Sequence, residues 1–112
     1  MHWKKRMQRK KESELTIITK AKDLCSYIMV VTQKSPKHFR FTFVSRLQNL
    51  SLDIIENLYR ANDIFVEKGN KDSYLRRREF QQQAMTDIKI LSYFSLLAYE
   101  QNKIREKIKN GK

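Results

Sequence analysis

The residues here with a chemistry to offer are basic, and they come in clusters. Residues 1–11, MHWKKRMQRKK, hold Lys4, Lys5, Arg6, Arg9, Lys10 and Lys11 with no acid among them. A second group, Lys34, Lys37 and Arg40 with His38, surrounds the LysSerPro turn, and Arg76, Arg77 and Arg78 form a third. Lysine and arginine at this density do not make or break bonds; they take up anions, displacing the counterions that surround a phosphate backbone. The whole chain has the same bias, with 24 Lys and Arg against 12 Asp and Glu, a formal net charge of +12. Such an excess calls for an anionic partner, and RNA or DNA is the commonest one for a small basic domain, ahead of an acidic membrane surface or an acidic protein. These twelve residues are the candidate nucleic-acid contacts. Trp3 is read as packing in preference to stacking on a base.

Catalytic chemistry is missing from the pattern. The 112 residues contain no glycine-rich phosphate loop, no paired zinc ligands and two histidines in all, so no catalytic residue, cofactor or metal ligand is assigned. Cys25 has no histidine near it in sequence and lies on an apolar face, the setting of a small buried residue and not of a nucleophile. A single cysteine also excludes an intramolecular disulfide. The acids are scattered, mostly three or four residues from a base, as Glu56 is from Arg60, which is how solvated helix faces look. Composition does not suit an RNA-recognition sheet or a zinc finger either. A basic helical surface is the remaining way to meet a nucleic acid.

Two Gly and one Pro leave few places to turn, and the residues between them favour helix. The expected fold is all-α, an antiparallel bundle of three long helices with a short or missing fourth. Residues 1–13 are the basic arm, which is either a solvated terminus or an extension of the first helix, and 14–112 are the bundle. Ile17, Ala21, Leu24, Ile28 and Val31 repeat at spacings of four and three, giving a first helix from about Glu14 to about Gln33. The second and longest-marked helix runs from Ser35 to Val66, with Ser35 as its N-cap, Pro36 in its first turn and Phe43, Leu47, Leu50, Ile54 and Ala61 along its buried face. Asn57 falls at the edge of that face and needs a hydrogen-bond partner. Residues 67–71 form a loop with Gly69 as a left-handed cap and Asp72 or Ser73 as the next N-cap. The third helix carries Leu75, Phe80, Ala84, Ile88, Leu91 and Ala98, and after Glu100 the apolar pattern thins to Ile104 and Ile108, which either prolong it or make a short fourth segment. No run is long and apolar enough for a membrane span or a signal peptide, so a soluble, cytoplasmic protein is expected. Three broad apolar faces without a strong fourth helix call for association with other copies.

The run SPKHFRFTFVSRLQNLSLDIIENLYRAND, with its Pro36 turn, Arg46, LeuGlnAsnLeu at 47–50 and Asn57 followed by Ala61, resembles a known family. It is similar to the four-helix-bundle proteins that include the accessory variability determinant of bacterial diversity-generating retroelements and the proteins encoded by intervening sequences in 23S ribosomal RNA genes. The likeness covers roughly Leu15 to Tyr99. It implies a homopentamer with a positive surface that binds nucleic acid and the element's reverse transcriptase during mutagenic copying of a template RNA. The intervening-sequence branch implies an alternative, a structural and interaction module without nucleic-acid binding. The family holds no fixed contact motif, so the resemblance assigns no residue. Relatives continue into a substantial fourth helix where this chain has little apolar content after Tyr99.

Overall fold

The structure is a computed structural model that describes residues 2–111, with side chains described from Glu12 onward. Every regular element among the described residues is helical: α1 (His2–Thr32), a 3-10 turn (Lys37–Phe39), a π-helical turn (Arg40–Val44), α2 (Ser45–Asp63) and α3 (Lys71–Asn110). No helix is long and apolar enough to cross a membrane.

The three α-helices pack with α2 between neighbours that run against it. Gln48 bonds Thr32 and Ser51 meets Cys25, so α2 rises as α1 falls. Along the other side Arg46 lies over Phe94, Asn57 bonds Asp87 and Arg60 lies over Phe80, the same antiparallel order. α1 and α3 are therefore parallel, with Glu14 abreast of Arg77 at one level and Thr32 and Ser95 lining one cavity at another. At about 1.5 Å per residue this stagger leaves the start of α1 projecting at one end and the last turns of α3 at the other. The result is a rod of 70 × 25 × 16 Å.

Its core joins Ala21 and Ile28 of α1, Leu47 and Ile54 of α2 and Leu91 of α3, with Leu24, Phe43, Leu50, Leu58 and Phe94 packed around them. Ala61 and Ala84 are buried where α2 and α3 need small residues to approach. On α1 the buried set is Ala21, Cys25, Ile28 and Thr32, while Ile17 and Val31 remain 47% and 46% exposed. The expected seam is thus rotated toward α2, because α3 leaves an open groove beside Ile17. Two polar links hold that contact: Thr32 Oγ1 donates to the Ile28 carbonyl and accepts from Gln48 Nε2, and Ser51 Oγ donates to the Gln48 carbonyl 3.4 Å from Cys25 Sγ. Asn57 has its partner in Asp87, at 3.1 Å.

Several boundaries differ from those read in the sequence. Ser35 caps nothing with its side chain; its amide closes a turn onto the Thr32 carbonyl, and Pro36 is the extended residue before a 3-10 turn. The Arg40 carbonyl then accepts both the Ser45 amide and the Ser45 hydroxyl, at 2.9 Å for the latter, which draws one extra residue into the ring and makes the turn π-helical. At its far end α2 stops at Asp63, where Ile64 turns extended, and not at Val66. Gly69 adopts φ +88 in the turn closed by Asn70 N–H onto the Glu67 carbonyl, so it serves that turn and not the end of α2. Asn70, two residues earlier than expected, caps α3 by accepting from the Asp72 and Ser73 amides. The C-terminal pattern prolongs α3 to Asn110 as one helix of 40 residues.

Candidate nucleic-acid interface

The basic clusters separate onto the two ends of the rod. Lys34, Lys37, His38 and Arg40 occupy the turn between α1 and α2 and are all exposed. Because α3 runs past the end of α1, its last turns come alongside this turn. Arg105 Nη1 lies 3.1 and 3.2 Å from the two ring nitrogens of His38, donating to whichever the tautomer leaves free. The His38 ring packs in turn on Phe39, which meets Phe43 edge to face. Phe43 belongs to the layer around the core, so the basic turn is anchored to the bundle.

Part of this end lies outside the three clusters read from the sequence. Lys103, Arg105, Lys107 and Lys109 are exposed on the last turns of α3 at this end, Lys109 on the side of Arg105 and Lys103 and Lys107 on the opposite side of the helix, with Glu100 and Glu106 the acids nearby. Their signal is the run KIREKIK itself, whose isoleucines mark the helix and whose charge marks the surface. Lys103 also sits over the Tyr99 ring, 5.4 Å from its centre.

At the opposite end the three arginines separate, since adjacent residues on a helix point about 100° apart. Arg77 turns inward and pairs with Glu14 at 2.6 Å, the two side chains only 15% and 24% exposed. Arg76 and Arg78 remain exposed, with Lys71 in the first turn of α3 and Lys68 in the loop before it at the same end. The projecting first turns of α1 lie at this same end and carry Lys4, Lys5, Arg6, Arg9, Lys10 and Lys11, whose side chains, with that of Trp3, fall outside the described residues.

Between the ends lies a band of opposite character. Asp53, Glu56, Glu79 and Asp87 line a cleft of about 770 Å³ between α2 and α3, with Arg60 as its base and Asn57, Phe80 and Thr86 among its other walls. Burial raises the Asp87 carboxyl above its ordinary range, the nearby Asp53 adds to the rise, and the hydrogen bond from Asn57 opposes it. No group of three His, Cys, Asp or Glu among the described residues is placed to hold a metal ion. A phosphate would be repelled here, so the two basic ends are divided by an acid-lined cleft. Screening acts over about 8 Å at physiological salt, so the fields of basic ends separated on the scale of a 70 Å rod are independent of one another.

No family model matches the chain, and comparison with curated proteins and with solved structures gives no match.

Proposed function

We propose that this chain is a non-enzymatic, cytoplasmic, basic helical protein that binds RNA or DNA as an oligomer. The supporting observation is the Arg105 to His38 contact, which gathers Lys34, Lys37, Arg40, Lys103, Arg105, Lys107 and Lys109 from elements far apart in sequence at one end of the rod. Exposed lysines and arginines held by helices form an electrostatic footprint for a phosphate backbone, without base reading. A rod of 70 Å matches roughly 20 base pairs of duplex at about 3.4 Å each, so the two ends would engage separate stretches of one molecule or bridge two.

The resemblance to the retroelement accessory family extends the proposal: the nucleic acid would be the element's template RNA or its cDNA, and the protein partner its reverse transcriptase. Affinity for structured RNA and for duplex DNA across a salt series tests the binding, and co-purification with a reverse transcriptase encoded beside this chain tests the setting. The alternative, an assembly module without nucleic-acid binding, draws support from apolar side chains left in solvent, Phe41 at 90% exposure above all. It predicts no salt-dependent affinity.

A further inference from the structure

A second cleft between α2 and α3, of about 610 Å³, lies next to the acid-lined one and differs from it in character. Leu50 of α2 and Ile90, Tyr93 and Phe94 of α3 give it an apolar and aromatic lining, and its charges are two cations, Arg46 and Lys89, against one acid, Asp53. Spacings of three and four put each set on one helix face. The Arg46 guanidinium carbon lies 5.9 Å from the centre of the Phe94 ring, which holds that charge at one end of the cleft. Because α2 and α3 are antiparallel, Lys89 and Asp53 stand toward the other end. Tyr93, its ring centre 6.5 Å from that of Phe94, remains 64% exposed. Arg46 follows Arg40 of the basic turn by six residues, on the order of 9 Å along the helix axis. A strand held at the turn therefore reaches the cleft.

We infer that this cleft takes one unpaired nucleotide of a bound strand, its base laid against Tyr93 and Ile90 and its flanking phosphates met by Arg46 and Lys89. The inference rests on the nucleic-acid reading above and narrows it, since the strand must be single at this point. Charge selects the occupant. An apolar side chain of a second copy would cover Leu50 and Ile90 but leave Arg46 and Lys89 without an anion, whereas a nucleotide brings a flat apolar ring and phosphate together. A duplex keeps its bases stacked inside, and a single strand splays them onto aromatic rings. Asn49, also in the lining, offers both a donor and an acceptor to a base edge, so the site takes any base by stacking and does not read sequence. Asp53 lines the acid-lined cleft as well, and there the path for phosphate ends.

Titration of the full chain with a single-stranded oligodeoxynucleotide of mixed sequence, and with the same strand carrying abasic sugars, tests this, beside light scattering for mass. The wild type should bind the intact strand at least about fivefold more tightly than the abasic strand of equal charge. Tyr93→Ala, outside the core, should remove most of that advantage while helicity, salt slope and affinity for the abasic strand stay as they are; Tyr93→Phe should keep it. Lys89→Gln should lower the salt slope on the single strand by about 0.7. Equal affinity of the wild type for the two strands overturns the inference and leaves the nucleic-acid reading standing, and so does an advantage that Tyr93→Ala leaves intact. Binding of neither strand removes that reading and this site with it. A fall in mass with Tyr93→Ala, without loss of the advantage, puts a second copy in the cleft and overturns the inference likewise.

Discussion

Arg105 and His38, 67 residues apart in sequence, touch at the end of the rod, guanidinium nitrogen 3.1 Å from imidazole nitrogen. The contact exists because α3 outruns α1 by several turns and passes the turn that precedes α2. It brings two separate basic stretches to one end of the rod. The mixed cluster, and not any single run of lysines, is the basis of the functional proposal.

The arginine triplet separates stability from binding. Arg77→Met removes the largely enclosed partner of Glu14 and should cost about 1–2 kcal/mol, as removal of a charge-assisted hydrogen bond does, with little change in nucleic-acid affinity. Arg76→Gln with Arg78→Gln should do the reverse, leaving the denaturant midpoint in place and lowering affinity. Paired urea melts and binding titrations check both.

Asp87 gives a pH dependence whose sign follows from its raised pKa. The folded protein holds that proton more tightly than the unfolded chain, so the native state is favoured at low pH and loses this contribution as pH rises from the unfolded carboxylate value through the folded one. Asp87→Asn removes the penalty and can still accept from Asn57. The variant should therefore be more stable than the wild type at pH 7, with the difference closing as the pH falls below the ordinary carboxylate range. Thermal melts across pH read this; a difference that grows on acidification would contradict it.

Ile54, 1% exposed at the centre of the core, should be among the most sensitive positions. Ile54→Ala is expected to cost about 2–5 kcal/mol, whereas Phe41→Ser, in open solvent, should change stability by no more than about 0.5 kcal/mol. Chemical denaturation of the two variants makes the comparison.

Much of the helical layout was legible in the sequence, and the residues show why. Few glycines and prolines, regular apolar spacing and a burst of turn residues at 67–71 marked three helices, and Cys25 and Asn57 have the buried and hydrogen-bonded settings their neighbours implied. The phase of α1 was not legible, because Ile17 and Val31 satisfy the same periodicity as Cys25 and Thr32 and only packing against α2 selects between the two sets. Nor was the cap of α3: Asn70, Asp72 and Ser73 all suit the position, and the backbone turn decides for Asn70. The thin apolar content after Glu100 fits a prolonged α3 and a short fourth segment alike, and the structure has the prolonged helix. Residues 103–109 continue as helix because Lys, Arg, Glu and Ile hold helical geometry without a core beneath them, which brings Arg105 to His38.

The central claim is that the turn and tail cluster is a polyanion surface. Its most direct test is the affinity of the full chain for structured RNA and duplex DNA over a salt series, beside a variant in which Lys34, Lys37, Arg40, Lys103, Arg105 and Lys107 are Gln. The account predicts a steep salt slope for the wild type, to which each neutralised duplex phosphate contributes about 0.9, and a shallower slope with weaker binding for the variant of equal helicity. Equal slopes would contradict it, as would no binding by the wild type near physiological salt.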